Sequence, residues 1–307
     1  MKLELARKPT PLEKYIFEGK EIWIKRDDMT DFVASGNKIR KLEYLLGDAI
    51  EKKSDVVITC GAVQSNHARA TNYLSKRLGM RVILYLKEWY PGKNSGNFLL
   101  NKLMGAEINI VTPKEYENID KMMEEKARKL LEEGKKAYII PEGGSNYIGS
   151  KGYEDAVFEM SRQVDLDYFD AIYVATSSAG TYAGILSGVK KLNLNLEVRG
   201  VIVHKKPTEV VREKIKEILN HLGVEDHSGI NLIRGFEGKD YAYPSEADLK
   251  MIKYVASESG VFLDPVYTSK AFRGMLETVG DQEKVIFIHT GGTFGLFAQI
   301  DALEGIL

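Results

Sequence analysis

The chain has 307 residues, 44% of them hydrophobic, and 43 Lys and Arg against 44 Asp and Glu leave a formal net charge of -1. That length supports one large or two moderate domains with their own cores, and the near-neutral charge gives no reason to expect nucleic acid or an anionic membrane as a partner. No apolar run approaches a membrane span, residues 1–7 lack a signal-peptide core, and one cysteine, Cys60, excludes an internal disulfide and suits a reducing, cytoplasmic setting.

In chain order, a strand is predicted over residues 21–26, followed by Gly36-Asn37-Lys38-Ile39-Arg40-Lys41-Leu42. Gly36-Asn37 is loop chemistry and Asn is a favoured N-cap, so a helix is predicted from Lys38. Apolar residues recur at helical spacing, at Ile39, Leu42, Leu45, Leu46, Ala49 and Ile50. Lys38, Leu42, Leu45 and Ala49 share one side, which sets Lys38 at the head of an apolar stripe on the first turn. Partial burial and the positive end of the helix dipole both disfavour its ammonium form. An amine held partly neutral near pH 7 is what Schiff-base chemistry requires. A lysine snorkelling to solvent from the edge of a core gives the same pattern.

Apolar runs of strand length follow at residues 56–60, 82–86, 107–111 and 137–140, with amphipathic stretches between them such as 119–133. After a break at residues 141–146, a helix is predicted at about 153–163. A second series of strands is predicted at 171–175, 198–203, 261–263 and 284–288. Near-uniform apolar strands alternating with helices read as parallel sheets covered on both faces. Two such series predict an α/β protein of two open parallel-sheet domains with a cleft between them.

Ligands of open α/β sheets bind beyond the carboxyl ends of the strands, and the unusual residues collect there. After residues 56–60 comes Gly61-Ala62-Val63-Gln64-Ser65-Asn66-His67, where Ser65 and Asn66 either cap a helix or leave its start to bind an anion such as a carboxylate. After residues 171–175 comes Thr176-Ser177-Ser178-Ala179-Gly180-Thr181, a hydroxyl-rich turn suited to cradle a phosphate, although it matches neither a Walker A loop nor the dinucleotide fingerprint. After residues 284–288 comes His289-Thr290-Gly291-Gly292, and Leu263-Asp264-Pro265-Val266-Tyr267-Thr268 offers a tyrosine and a hydroxyl. Gly144-Ser145-Asn146-Tyr147-Ile148-Gly149-Ser150-Lys151 has Ser and Lys in the wrong order for a P-loop and reads as a turn between domains. The five histidines form no metal-ligand pair at helical spacing, so no metal is expected. A lysine predisposed to be neutral, a phosphate cradle and an anion-binding helix start fit one cofactor, pyridoxal 5'-phosphate.

Those motifs, together with Tyr241-Ala242-Tyr243-Pro244, resemble in order and over nearly the whole chain the fold type II (tryptophan-synthase-β-like) pyridoxal-phosphate enzymes. Within that class the likeness is to the D-cysteine desulfhydrase and 1-aminocyclopropane-1-carboxylate (ACC) deaminase branch. The resemblance implies that Lys38 holds the cofactor as a Schiff base, that Asn66 bonds its 3'-oxygen and that Ser178, Ala179, Gly180 and Thr181 bind its phosphate. It implies that Ser65, with Asn66, His67, Tyr267 and Thr268, meets the substrate, and that Tyr241 and Tyr267 form the two tyrosines of the substrate face. It also implies a large domain of residues 1–40 and 156–307, a smaller inserted domain of residues 41–155, and a homodimer. The ACC deaminases of this branch look like Tyr-Glu at Tyr267-Thr268 and His-Leu at His289-Thr290. The desulfhydrases carry Thr at both positions, and His where His67 stands. A neutral hydroxyl, assigned to Thr290, leaves the cofactor's ring nitrogen largely unprotonated, which favours losing a β-leaving group over ring opening. D-cysteine desulfhydrase is therefore the expected activity, ahead of ACC deaminase and of a racemase or other lyase of β-substituted amino acids.

Overall fold

A computed structural model describes residues 1–88, 94–239 and 241–307. The strands are β1 (Leu12–Phe17), β2 (Lys20–Lys25), β3 (Val56–Ala62), β4 (Arg81–Lys87), β5 (Glu107–Val111), β6 (Ala137–Ile140), β7 (Ala171–Thr176), β8 (Glu197–Ile202), β9 (Asn231–Ile233) and β10 (Val285–Ile288). The helices are α1 (Asn37–Glu51), α2 (Asn66–Arg77), α3 (Gly96–Leu103), α4 (Pro113–Tyr116), α5 (Ile119–Glu132), α6 (Tyr147–Met160), α7 (Gly180–Lys191), α8 (Thr208–His221), α9 (Glu246–Ser259), α10 (Thr268–Thr278) and α11 (Ile300–Glu304). They build two sheets, one in the order β1-β2-β10-β7-β8-β9 and the other β5-β4-β3-β6. Every neighbouring pair is parallel except β1 with β2, an antiparallel edge ribbon.

Burial on both faces explains the continuous apolar strands. In β7, Ile172 and Val174 pack with α6, α7 and α8, whereas Ala171 and Tyr173 pack with α9 and α10. Ile286 and Ile288 against Val285 and Phe287 repeat that alternation in β10. In the four-stranded sheet, Val57, Tyr138 and Ile140 meet Ile39, Leu42, Leu45, Leu46 and Ala49 of α1. Val56, Ile58 and Cys60 face α5 on the other side.

Helices α1, α6 and α7 pack in series. The approach is close because Gly152 of α6 lies against α1: a Cβ there would stand 2.2 Å from the Arg40 carbonyl oxygen. Behind that contact lies a buried ionic cluster. Arg40 donates to Asp27 (2.8 Å) and Glu159 (2.9 Å), Lys25 donates to Glu159 (2.6 Å), and the Tyr153 hydroxyl donates to Asp27 (2.6 Å). This cluster ties α1 to β2 and α6. We propose that α1 and α6, which span residues 40/41 and 155/156, are where the chain crosses between the two expected domains.

Four details differ from the sequence reading. Asn37 opens α1 rather than capping it: Gly36 is the cap residue, and the Asn37 amide reaches across to donate to Thr181 Oγ1 (3.0 Å). Helix α6 starts at Tyr147 because Asn146 caps it by accepting from the Gly149 N–H (2.9 Å), so Gly144 to Lys151 is a helix entry and not an interdomain turn. Residues 261–263 are extended and Val261 and Leu263 are buried, yet they form no strand; β10 is already flanked by β2 and β7. The ribbon strand β1 and the short β9 carry too little apolar pattern to be read as strands from sequence.

Candidate active site

The carboxyl ends of strands from both sheets converge on one cavity of about 580 Å³. Lys87 ends β4, Gly61 and Ala62 end β3, and Glu142 and Gly143 follow β6; facing them, Thr176 and Ser177 end β7, His204 follows β8 and Thr290 follows β10. Of the residues singled out in the sequence, Lys38, Ser65, Asn66, His67, Ser178, Ala179, Thr181, Tyr241, Tyr267 and Thr290 line this space. Gly180 and Thr268 do not.

Lys38 enters from the first turn of α1, where Gly36 sets the geometry. Gly36 has φ +109°, and a Cβ on it would stand 2.4 Å from the Thr290 carbonyl oxygen, which accepts from the Asn37 N–H (3.1 Å). Thus α1 and the loop after β10 are joined at the root of Lys38. Burial pulls the Lys38 amine down from 10.5 to about 8, and the Glu142 carboxylate opposes that shift.

The start of α7 is the anion cradle. Ala179 precedes it at φ +69°, a left-handed conformation that an alanine holds at a cost of about 1–3 kcal/mol. Ser178, Ala179 and Thr181 of this turn line the cavity at the start of α7, the end of a helix suited to an anion. Gly180 clears space instead of lining it. Its N–H donates to the Ser178 carbonyl (2.9 Å), and a Cβ would press on Ser145 Oγ (2.8 Å) and Lys41 Nζ (3.0 Å). Lys41 is buried and donates to the Gly143 carbonyl and Ser145 Oγ, both at 3.1 Å. Burial, with Lys38 second, holds its amine well below the usual lysine range. His204 braces the same loop: its Nδ1 accepts from the Lys206 N–H (3.0 Å), so Nε2 carries the proton and donates to the Ser177 carbonyl (2.8 Å).

Ser65 caps α2 by accepting from the Ala68 N–H (3.2 Å), which leaves its own proton without a protein acceptor among the described residues. His67 is fixed as a tautomer. The Thr59 hydroxyl gives its proton to the Ile140 carbonyl (2.7 Å), so it accepts from His67 Nε2–H (2.8 Å). Nδ1 is then a buried acceptor with no partner among the described residues. Burial, then Lys38 and Lys41, hold the ring's pKa well below the usual histidine range. On the opposite wall the Tyr241 and Tyr267 hydroxyls are 2.5 Å apart, and burial raises both pKa values.

Thr268 departs from its expected role at the substrate. It is fully buried, its hydroxyl donates to Asp264 Oδ1 (2.8 Å) and it accepts from the Asp264 N–H (2.6 Å). Asp264 also receives the Val266, Tyr267 and Thr268 N–H groups and so holds the start of α10. The Thr290 hydroxyl, by contrast, takes no partner among the described residues and faces the cavity. Glu142 is the one carboxylate among the described residues lining the cavity; it accepts from the Tyr116 hydroxyl (2.9 Å) and faces Lys206 (3.7 Å).

A lysine with a lowered pKa, a strained helix entry backed by a buried amine, and unpartnered hydroxyls together fit an aldehyde bearing a phosphate. The profile of the family described as "Pyridoxal-phosphate dependent enzyme" matches residues 3–291. The chain belongs to that family. It is 47% identical to a Thermotoga maritima protein provisionally named 1-aminocyclopropane-1-carboxylate deaminase, over 97% of this chain and 98% of that one. It is 38% identical to the mitochondrial bifunctional D-cysteine desulfhydrase/1-aminocyclopropane-1-carboxylate deaminase of Arabidopsis thaliana, over 99% of this chain and 81% of the relative. A crystal structure described as an ACC deaminase homologue superposes with a TM-score of 0.92 at 39% identity, covering 100% of this chain and 96% of its own. The fold is thus that of the fold type II pyridoxal-phosphate enzymes, and the cofactor is pyridoxal 5'-phosphate.

The sequence reading missed Lys41, His204, Glu142 and Tyr116. Lys41 carried a signal, since it falls one turn after Lys38 on the same helix. The other three reach the cavity only through tertiary packing.

Proposed function

We propose that this enzyme eliminates a β-substituent from a small amino acid, with D-cysteine as substrate and pyruvate, ammonia and hydrogen sulfide as products. Ser178, Ala179 and Thr181 would receive the cofactor's phosphate, the buried Lys41 amine braces that turn through the Gly143 carbonyl and Ser145, and Lys38 would hold the aldehyde. Asn66 Nδ2 would hold the ring oxygen, and Thr290 would serve the ring nitrogen. When bound, pyridoxal phosphate supplies an electron sink for charge developing at the substrate's α-carbon.

The chain's own groups do the rest. Ser65, at the head of α2, donates to the substrate carboxylate. His67, a neutral ring whose Nε2–H is given to Thr59, walls the cavity beside Ser65. Lys38, with an amine near 8, takes the α-proton without needing high pH. Both hydroxyls of the Tyr241–Tyr267 pair stay protonated, and one donates to the other, so the pair can give a proton to the departing β-thiolate. The enamine left behind is hydrolysed by water to pyruvate and ammonia.

The observation that carries this reading is that, among the described residues, no carboxylate other than Glu142 lines the cavity, while Thr290 lines it with a neutral hydroxyl. Glu142 is engaged by Tyr116, and Asp264 is committed to four donors behind Gly292. A neutral threonine leaves the ring nitrogen unprotonated and the sink shallow, which favours expelling a good β-leaving group. The second reading, ACC deaminase, is supported by the names of the Thermotoga and Arabidopsis relatives. Incubation with D-cysteine, L-cysteine, β-chloro-D-alanine and ACC separates the two. Pyruvate from D-cysteine and β-chloro-D-alanine is expected; 2-oxobutyrate from ACC with no pyruvate from the other three, or no keto acid from any of the four, overturns the proposal.

A further inference from the structure

Arg69 lies one helical turn after Asn66 on α2 and is completely buried. A buried guanidinium ordinarily meets a carboxylate. Arg69 meets none within ion-pair distance among the described residues. Its Nη1 donates to Asn97 Oδ1 (2.8 Å) and weakly to Asn66 Oδ1 (3.4 Å), its Nη2 donates to the Ser35 carbonyl (2.8 Å), and the Phe294 ring covers its face at 4.9 Å. Its Nε–H is buried without an acceptor among the described residues. Such an arrangement sacrifices stability, and a side chain kept in it has a use for its charge.

The hydrogen bonds show what the charge faces. Asn97 Nδ2 donates to Asn66 Oδ1 (2.8 Å) and to the Gln64 carbonyl (2.8 Å), and the Asn97 N–H donates to Gln64 Oε1 (3.0 Å). With two donors on its oxygen, the Asn66 amide has one orientation. Its Nδ2 is turned toward Gly292, where a Cβ would stand 2.9 Å away, and takes no protein acceptor among the described residues.

We propose that Arg69 is a positioning residue for an anionic oxygen: with Asn97 it locks Asn66 so that Nδ2 donates into the cavity, and its uncompensated charge favours the deprotonated form of a phenolic oxygen bound there. This rests on the reading of Asn66 as the partner of the cofactor's ring oxygen. A cation behind the donor lowers the pH at which the bound cofactor loses its proton.

The test titrates the visible absorption of the loaded enzyme against pH in wild type, Arg69→Met and Arg69→Lys. Arg69→Met should move the transition up by about one pH unit, and Arg69→Lys should restore it. An unmoved transition in an Arg69→Met protein with the wild-type melting temperature overturns the proposal. A second measurement does not need Arg69→Met to fold: equilibrium dialysis of the apoprotein with pyridoxal phosphate and with its 3-O-methyl analogue. Wild type should prefer the free phenol, and Asn97→Ala, which frees the Asn66 amide, should narrow that preference several-fold. A preference lost in Asn66→Ala but kept in Asn97→Ala sinks the proposal alone; a preference unchanged in Asn66→Ala sinks the reading of Asn66 with it.

Discussion

At the scale of single residues, Lys38 joins burial to chemistry. Its amine is held at about 8 against an ordinary 10.5. Between those values the unfolded chain binds more protons than the folded one, so the lysine's contribution makes apoprotein stability rise with pH through that window. Below pH 8 the folded protein carries the full penalty of a charged, desolvated amine. Lys38→Met should therefore be more stable than wild type at pH 7 as apoprotein, with the advantage shrinking towards pH 10.5. Denaturation midpoints of both proteins at several pH values check this, and parallel pH profiles would contradict it. Lys38→Ala should also abolish the covalently held visible absorption of the cofactor, which a reconstitution and borohydride reduction would reveal. The lysine was readable from its neighbours, since loop chemistry at Gly36-Asn37 and an apolar stripe behind it are local signals. Thr268 was misread because its partner, the Asp264 carboxylate, is identified by the fold of the turn and not by the sequence around it.

At the scale of elements, α1 is positioned by what lies beneath it. Gly152 permits the close approach of α6, and Arg40, Asp27, Glu159 and Lys25 fasten the far side. Gly152→Ala would force a Cβ against the Arg40 carbonyl and should destabilise the protein by about 2 kcal/mol, measured by urea unfolding. An unchanged midpoint would show that α1 and α6 separate freely. Arg40 and Lys25 hold the Glu159 carboxyl down to about 2 despite the opposing desolvation. A depressed carboxyl contributes stability above its unfolded pKa and loses it as pH falls through its folded value. Glu159→Gln should thus flatten the acid limb of the stability profile between about pH 5 and 2; an acid limb identical to wild type would contradict the pairing.

For the whole molecule, the two sheets supply opposing walls, and each wall contributes strand-end residues that mean little alone. The two series of apolar strands were legible because parallel strands buried on both faces leave nearly continuous apolar runs, as in Val56–Ala62 and Ala171–Thr176. The β1 ribbon was not, since one face is open and its pattern is mixed. Neither were His204, Arg69 and Asn97, whose partners lie on other elements. The cavity's hydroxyls were legible as strand-end motifs, while the hydrogen bonds that decide which of them remain available were not.

The central claim is that the neutral Thr290 end of this cavity directs the cofactor to β-elimination. The ratio of kcat/KM for D-cysteine, measured as pyruvate, to that for ACC, measured as 2-oxobutyrate, on one enzyme preparation with sulfide assayed in parallel, tests it most directly. The account predicts a ratio well above one with sulfide equal to pyruvate. A ratio below one, or pyruvate from D-cysteine without sulfide, would contradict it.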